Sequence, residues 1–361
     1  MTSSSVSPED IRWMRLALKL ARKGLGSTSP NPMVGAVIVR SGRLLGSGWH
    51  ARAGEAHAEV NAFRSLGKEE SPRGATLYVT LEPCSTWGRT PPCTEAVLSS
   101  GVSRVVIGSL DPNPKHAGRA VRFLRDKGLD VVYGVEKDAC DLLNEAFFKW
   151  IVKKQPFVLL KLAETLDGKI ATAGGVSRWI TSSRARRRVQ ELRRWADAVL
   201  CGAETFRADS PSFTVRTEKT GRILKTPRRI VVSRHPEDLE LPAESVGGGT
   251  WEAIDLSGGR AAWEEFLTRL GSENVISLLI EGGGGIAASA LHAGAVDKVE
   301  FHIAPRILGG CGSRPSVGGE NPESLEEALP LEHTAMRKLG VDWMLTGYLP
   351  GRRLESPCLQ D

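Results

Sequence analysis

The sequence has few cysteines and no long apolar run, and both shortages narrow the class of protein. Six cysteines are spread over 361 residues, and no signal-peptide pattern precedes them, which argues against a disulfide-stapled secreted fold. No apolar stretch approaches the roughly 20 residues that cross a bilayer. Internal repeats are also lacking. We therefore expect a cytoplasmic protein with no membrane partner.

The length and composition are those of an ordinary globular protein with two domains. The chain is 41% hydrophobic and 25% charged, and 361 residues exceed most single cores. A net charge of +6 suits nucleic acid, a membrane surface or a phosphorylated metabolite, and charge alone does not choose among these partners. The densest basic run, 184–194, has apolar residues at helical spacing, which is typical of a solvated helix face.

The first 150 residues alternate between helix and strand signals. Ser7 and Pro8 begin a helix that ends at Gly24, and Ser7 can cap it. Strands, helices and turns then alternate as far as Trp150. This pattern predicts an α/β layer with a largely parallel sheet over residues 1–150.

A charged segment broken by proline, 153–156, is the predicted linker. A second α/β series follows over 151–361, in which the stretch 238–249 lacks periodicity and predicts a surface loop. The tail from about residue 352 is expected to be disordered.

One group of residues in the first half has the pattern of a catalytic zinc site. His57 and Glu59 stand at the start of a predicted helix, Cys84 follows a strand and Cys93 begins the next helix. Zinc deaminases need this arrangement, in which His57, Cys84 and Cys93 leave a fourth position for water. Zinc lowers the pKa of that water to about 7, and Glu59 can shuttle its proton without binding metal.

The same residues also allow interpretations without catalysis. A lone His-x-Glu occurs by chance, and two cysteines can be buried core residues or half of a structural zinc site. Structural zinc usually takes four protein ligands, however, and His50 is the only nearby candidate for a fourth. We interpret the motif as catalytic zinc.

The spacing of the two cysteines carries a more specific resemblance. Cys84 and Cys93 enclose a long loop with the run 88–92, whereas the generic deaminase signature is Cys-x-x-Cys. This loop, the run Pro30-Asn31-Pro32 and the run 111–114 resemble the riboflavin-pathway deaminase/reductase family. The resemblance implies a cytidine-deaminase-like three-layer domain over 1–150. It also implies that the pyrimidine or ribose is contacted by Asn31, His50, Asp111 and Asn113, with Arg89 near the phosphate.

The second half is similar to the reductase domain of the same family, which has a dihydrofolate-reductase-like fold. Runs that carry the likeness include 166–171, 179–182 and 281–283. Gly282–Gly285 after a strand can bring backbone N–H groups to phosphates, although such a run alone is also typical of a tight turn. The resemblance implies NADPH as cofactor, lined by Ala163, Trp179, Thr205, Asp209, Ser233, Gly283, Gly284 and Gly285. The substrate would be held by Lys161, Ser177, Arg193, Phe213, Arg216 and Glu281.

Three positions depart from the family pattern. Thr86 stands where the family usually has histidine, Glu204 where it has glycine, and Ser210 where it has a second acid beside Asp209. The zinc ligands are unaffected by these departures. The preference for NADPH over NADH is implied by the resemblance alone.

The sequence therefore predicts a bifunctional enzyme of riboflavin biosynthesis. It would use one Zn²⁺ to deaminate a phosphorylated diaminopyrimidinone, and NADPH to reduce the ribosyl side chain to ribityl. We expect a homo-oligomer, a dimer or tetramer, and no nucleic-acid partner. One alternative is a nucleic-acid or nucleoside deaminase, which leaves the second half unexplained. Another is a zinc-stabilised binding protein without activity, against which Glu59 argues.

Overall fold

A computed structural model describes residues 6–87, 91–114, 116–217, 220–242 and 247–359. The chain forms two compact units. The first comprises the described residues of Met1–Lys153 and Leu354–Asp361, and the second comprises those of Lys154–Arg353. Each unit has its own sheet and its own core.

The first unit begins with the predicted helix. Ser7 and Asp10 form a capping box, in which each side chain accepts the other residue's backbone N–H, and Pro8 occupies the first turn. The elements of this unit are α1 (Pro8–Ala21), β1 (Gly35–Arg40), β2 (Arg43–Trp49), α2 (Ala58–Arg64), β3 (Thr76–Leu81), α3 (Cys93–Ser100), β4 (Arg104–Ser109), α4 (Arg119–Asp126), β5 (Asp130–Tyr133), α5 (Lys137–Leu143) and α6 (Glu145–Lys153).

The sheet of the first unit is mixed rather than largely parallel. Its strand order is β2-β1-β3-β4-β5, with β1 antiparallel to both neighbours and only β3, β4 and β5 parallel to one another. The predicted largely parallel pairing is wrong for β1 and β2, which Ser41 and Gly42, both with positive φ, join in a tight hairpin.

Helices cover both faces of this sheet, as the alternation of β1 requires. Ala36 and Ile38 pack into a core with α2, α3 and α4, whereas Val37 and Val39 pack into a second core with α1 and α5. This confirms the predicted three-layer arrangement. The carboxyl ends of β3 and β4 therefore meet the amino ends of α2 and α3 at one edge, where the predicted zinc ligands lie.

The second unit is built around a larger sheet. Its elements are β6 (Phe157–Thr165), β7 (Lys169–Ala171), α7 (Ser183–Trp195), β8 (Ala198–Gly202), α8 (Ala203–Asp209), β9 (Val215–Arg216), β10 (Ile223–Lys225), β11 (Arg228–Val232), β12 (Trp251–Ile254), α9 (Gly259–Ser272), β13 (Ser277–Glu281), α10 (Gly284–His292), β14 (Lys298–Ala304), β15 (Arg314–Pro315), β16 (Glu332–Leu339) and β17 (Asp342–Tyr348).

The eight described strands of the main sheet run in the order β12-β11-β8-β13-β6-β14-β17-β16. The first six strands in this order, from β12 through β11, β8, β13 and β6 to β14, are parallel to one another. Strands β17 and β16 continue the sheet as an antiparallel edge. In β6, Leu160 and Leu162 pack towards α9 and α10, while Leu159 packs on the opposite face with Leu192 of α7. Lys161 therefore projects on the α7 side of the sheet.

The tail differs from the expectation of disorder. Ser356 is buried, and its backbone N–H donates to Asp141 Oδ2 at 3.0 Å. Residues 354–359 belong to the first unit for this reason, and not to a second domain that runs from 151 to the end. Among the described helices, none combines the length and apolar character needed to cross a bilayer.

Candidate active sites

The predicted zinc ligands converge at the ends of three elements of the first unit. His57 is the residue before α2, Cys84 follows β3, and Cys93 is the first residue of α3. His57 Nδ1 lies 3.2 Å from Cys93 Sγ and 3.7 Å from Cys84 Sγ. The ligand atoms of all three residues lie within 4.8 Å of one another.

These separations fit one tetrahedral ion. Zinc bonds of about 2.0–2.3 Å place neighbouring ligand atoms roughly 3.3–3.8 Å apart. One nitrogen and two sulfurs also form the donor set of a three-ligand catalytic site. The Cys93 thiol beside Cys84 holds the pKa of the Cys84 thiol well below its usual range despite burial. Cys84 is therefore ready to bind a cation as thiolate.

Glu59 lies in the first turn of α2, two residues beyond His57. Its side chain is buried, and that burial raises the pKa of its carboxyl group. A carboxyl group with a raised pKa holds a proton more readily than an ordinary one, which suits a residue that takes up and passes on a proton. The geometry supports proton transfer by Glu59 rather than metal ligation, since Glu59 is not part of the ligand group.

Asn31 and His50 form a second polar pair beside the ligands. The His50 ring stands edge-on to the His57 ring, with centroids 5.4 Å apart. His50 Nδ1 lies 3.1 Å from the Ala56 carbonyl oxygen, which can only accept, so this nitrogen carries the proton. His50 Nε2 then accepts from the Asn31 amide at 3.2 Å. The pair fixes the tautomer of His50 next to the zinc site.

Glu82 is a residue of this site that the sequence analysis did not assign. Its buried carboxylate accepts backbone N–H groups from Asp111 at 3.1 Å, Gly118 at 2.9 Å and Ala120 at 2.9 Å. Asp111 in turn accepts the backbone N–H of Asn113 at 2.8 Å. Glu82 thus connects the loop that carries Asp111 and Asn113, both predicted substrate contacts, to the end of the strand that leads to Cys84. Arg89 lies outside the described residues.

In the second unit, a cleft of about 1380 Å³ opens at the carboxyl ends of the parallel strands. This volume exceeds the roughly 300–1,000 Å³ of an ordinary small-molecule site and has room for two ligands. The predicted contacts that line it are Lys161, Ala163, Ser177, Trp179, Arg193, Thr205, Asp209, Phe213, Ser233, Glu281, Gly283, Gly284 and Gly285.

The glycine run has the geometry of a phosphate cradle. Gly282 and Gly283 have φ values of +75° and +81°, and α10 begins at Gly284. A Cβ on Gly284 would lie 2.5 Å from the Pro315 carbonyl oxygen, so no side chain fits there. At Gly285 a Cβ would meet nothing within 4 Å, and Gly283, Gly284 and Gly285 line the cleft at the amino end of α10, a place that favours anions.

Arg193 and Glu281 form an ion pair in the wall of the cleft. Arg193 Nε and Nη2 donate to the two Glu281 oxygens at 2.6 and 2.8 Å. Burial alone would raise the pKa of Glu281, and the Arg193 charge lowers it below its usual range. Arg193, a predicted substrate contact, thus lies in the cleft wall with its guanidinium held by a carboxylate.

Arg216 is a predicted contact that does not line the cleft. Its guanidinium turns back to Thr214, with Nε 2.9 Å from the Thr214 hydroxyl. The basic run on α7 also differs from prediction, because Arg186, Arg188 and Arg193 are only partly exposed. Arg186 lines the cleft and stacks on Trp179 at 4.4 Å.

The three departures from the family pattern have separate surroundings. Thr86 is exposed. Glu204 pairs with Arg314 at 3.1 Å at the cleft. Ser210 ends α8 with φ 41°, and Asp209 beside it is 3.1 Å from Arg178 Nη2.

Comparisons with known proteins cover both units. Residues 7–109 match the cytidine and deoxycytidylate deaminase zinc-binding region, and residues 156–345 match the RibD C-terminal domain. The chain is 40% identical to riboflavin biosynthesis protein RibD of Actinobacillus pleuropneumoniae, over 93% of this chain and 94% of the relative. It is also 40% identical to RibD of Aquifex aeolicus, over 93% and 97% of the two chains.

Solved structures agree with these relatives. Acinetobacter baumannii RibD superposes with a TM-score of 0.82 at 35% identity, over 94% of this chain and 99% of that chain. A diaminohydroxyphosphoribosylaminopyrimidine deaminase/5-amino-6-(5-phosphoribosylamino)uracil reductase of Thermotoga maritima has a TM-score of 0.82 at 34% identity, with the same coverage. The predicted fold of each half is confirmed, and the chain belongs to the RibD family of riboflavin biosynthesis proteins.

Proposed function

We propose that the chain catalyses two consecutive steps on one phosphorylated pyrimidine. The first unit deaminates 2,5-diamino-6-(5-phosphoribosylamino)-4-pyrimidinone by hydrolysis, and the second reduces the ribosyl group of the product to ribityl. The observation that carries the proposal is the His57, Cys84 and Cys93 group, with ligand atoms within 4.8 Å beside buried Glu59, in a chain that also has a separate cleft for a cofactor.

In the deaminase unit, His57, Cys84 and Cys93 would hold Zn²⁺, which would act as a Lewis acid and make water nucleophilic near neutral pH. Glu59 accepts the proton of that water and gives it to the departing amine. Asn31 hydrogen-bonds the base edge, His50 orients the Asn31 amide and contacts the base with its ring, and Asp111 and Asn113 hold the ribose. Arg89 is proposed to bind the phosphate.

In the reductase unit, the cleft would hold NADPH, which would supply the hydride for reduction of the ribosyl group. The backbone N–H groups at Gly283, Gly284 and Gly285 hold its phosphates. The nicotinamide and ribose are proposed to lie against the cofactor contacts on the cleft wall, which are Ala163, Trp179, Thr205, Asp209 and Ser233. Lys161, Ser177, Phe213 and Glu281 orient the sugar phosphate, so that the protein mainly positions the two reactants.

Incubation with the diaminopyrimidinone ribosylamino phosphate tests both steps. Zinc-replete protein should release ammonia without NADPH and should oxidise NADPH only after deamination. NADH in place of NADPH should support a slower reduction. Zinc-replete protein that turns over no pyrimidine would favour a zinc-stabilised binding protein. Deamination of cytidine or single-stranded nucleic acid instead would favour a nucleic-acid or nucleoside deaminase.

The enzyme is further proposed to act as a homo-oligomer in the cytoplasm. Large apolar side chains are exposed on the second unit, with Ile307 at 77%, Leu325 at 93% and Met336 at 57%, and a second copy would remove such side chains from water. None of the six cysteines forms a disulfide bond in the described structure, which is typical of proteins in a reducing compartment. Sedimentation velocity of the parent and of Met336→Lys should give a larger species for the parent.

A further inference from the structure

A row of charged side chains crosses three strands of the second unit. Lys161 in β6 is paired in register with Glu281 of β13 on one side and with Glu300 of β14 on the other. Directly opposed residues of neighbouring strands project to the same face with Cβ atoms about 5 Å apart. The Lys161 ammonium therefore lies between two carboxylates, under helix α7.

Only one of these carboxylates belongs to the cleft. Glu281 lines it together with Arg193 and Lys161, whereas Glu300, Arg188 and His302 do not. Glu300 is 2% exposed and His302 is fully buried. Burying a charged group such as the Glu300 carboxylate costs free energy unless opposite charges and hydrogen bonds offset the loss of water. The position of Glu300 beside Lys161, outside the cleft, therefore needs a physical reason.

Glu300 is compensated on both oxygens. Arg188 Nε lies 3.0 Å from Oε1 and Arg188 Nη2 lies 2.9 Å from Oε2, and His302 Nε2 lies 2.8 Å from Oε1. Burial would raise the pKa of Glu300, but His302 and Arg188 hold it at about 2. Burial lowers the pKa of His302, so its ring is neutral and donates from Nε2. His302 Nδ1 has no hydrogen-bond partner in the described structure, as an unprotonated acceptor.

The charges of the row leave a surplus on Lys161. Arg193 occupies both oxygens of Glu281, and Arg188 occupies both oxygens of Glu300. Arg188 also donates from Nη1 to the exposed carboxylate of Glu191 at 3.1 Å. Within the row itself the two arginines and two glutamates cancel, so the one remaining positive charge of the row is that of Lys161. Burial lowers the pKa of the Lys161 ammonium, Glu281 and Glu300 raise it, and Arg193 lowers it.

We propose that Glu300, held by Arg188 and His302, is a positioning residue for the reductase step, which fixes the Lys161 ammonium on the cleft wall and keeps it charged. This rests on the proposed reductase function. The network acts through Lys161 and touches neither substrate nor cofactor. A purely structural role for the network would change stability but would leave the titration of Lys161 unaltered.

Single charge deletions in the full-length, zinc-loaded protein test this role. The reductase kcat and kcat/KM are measured against pH up to about 10, near the ordinary pKa of lysine, with the deaminated substrate and NADPH. Glu300→Gln should move the basic limb to lower pH by about one unit or more, because it removes an anion and frees the Arg188 cation. Arg188→Gln should move the limb to higher pH, since Glu300 then compensates Lys161 alone.

Three controls make the result specific. Lys161→Arg does not titrate and should lack the limb, and adding Glu300→Gln to it should produce no further shift. Glu252→Gln, which breaks a pair with Arg228 at the strand β12, should leave the pH profile unchanged. Ammonia release from the starting diaminopyrimidinone should be equal in all variants, because the zinc site lies in the first unit.

The outcomes separate the inference from the proposed function. A parent protein that deaminates but never oxidises NADPH overturns the proposed reductase function. A parent that oxidises NADPH with a flat profile up to about pH 10 overturns the inference, as do shifts of the same sign in Glu300→Gln and Arg188→Gln. Opposite shifts support it. If Glu300→Gln does not fold, the direction of the Arg188→Gln shift alone decides.

Discussion

Glu82 Oε2 accepts the backbone N–H of Gly118 at 2.9 Å, and this bond joins the strand end before Cys84 to the loop that carries Asp111 and Asn113. The same carboxylate accepts two further N–H groups of the 111–120 segment. A buried acid with three backbone donors organises a loop more rigidly than the loop sequence alone can.

Glu82→Ala should therefore weaken pyrimidine binding while zinc stays bound. Three backbone donors lose their acceptor, at a cost of about 1–3 kcal/mol each when they stay buried. The KM for deamination should rise by roughly tenfold or more, since 1.4 kcal/mol is a factor of ten. Steady-state ammonia release and zinc content measure the two effects. Glu69→Ala, in an exposed loop, is the matched control, and an unchanged KM for Glu82→Ala would contradict the assigned role.

Glu59→Gln should retain zinc and lose deamination by about 10²-fold or more, in line with general acid–base contributions. Metal analysis and ammonia release measure these separately. Cys84→Ala is the companion variant and should lose both metal and deamination. Both proteins should still oxidise NADPH with the deaminated substrate. Loss of zinc from Glu59→Gln would make Glu59 structural.

Asp209→Ala should spare ammonia release and abolish cofactor oxidation. Asp209 lines the cleft and is the only carboxylate of its motif, because the next residue is Ser210. In the structure its Oδ1 is 3.1 Å from Arg178 Nη2. Arg178→Gln separates the two roles of Asp209: an equal loss in both variants indicates an ion pair that shapes the cleft, and a loss confined to Asp209→Ala indicates contact with the cofactor.

The zinc site was predictable because its signal is local. His57 and Glu59 lie two residues apart at a helix start, and the cysteines lie at a strand end and a helix start, which is the sequence pattern that zinc deaminases need. Lys161 and Glu300 are different. They are neighbours only through the register of β6 and β14, and nothing in a single sequence states which strands are adjacent. The role of Glu82 was not predicted for the same reason, because its partners are backbone N–H groups roughly 30 residues away in the sequence.

The basic run on α7 shows a second limit of the sequence. The run does form a helix, α7. The same spacing of arginines, however, fits both a helix face in solvent and a helix face that covers charged side chains of a sheet. Arg188 and Arg193 reach Glu300 and Glu281 because those strands place acids on the side that α7 covers. Hydrophobic periodicity gives no information about such an acid.

Asp10 predicts a pH dependence of stability in the first unit. Burial would raise its pKa, but hydrogen bonds from Arg104 and Ser7 lower it to about 2. A carboxylate with a lowered folded pKa stabilises the fold above its unfolded pKa of about 3.9, and this contribution is lost as the pH falls through the folded value.

Asp10→Asn should therefore be less stable than the parent at pH 7, by about 2 kcal/mol. The difference should shrink as the pH falls from about 4 to about 2, because the parent's carboxylate is then protonated as well. Denaturant unfolding of both proteins across this range measures it. A difference that stays constant with pH would show that Asp10 acts by shape alone.

Removal of the segment after Arg353 should destabilise the first unit and leave the second unchanged. The deletion exposes Asp141, which accepts from Ser356 N at 3.0 Å and Ser356 Oγ at 3.3 Å, and removes Leu359 from the core of the α4 side. Thermal unfolding with zinc and NADPH as separate stabilising ligands distinguishes the units. Ser356→Ala, which keeps the backbone bond, should show a smaller loss.

The return of the chain to its first unit has a consequence for biosynthesis. The bond between Asp141 and Ser356 spans 215 positions, so the ribosome completes the whole second unit before this closure can form. Domains that fold during synthesis generally do so from the amino terminus onward. Here the first unit emerges first, but its last contacts form only when residues 354–359 have been synthesised. Until then, the nascent first unit exposes the surface that Leu359 later covers.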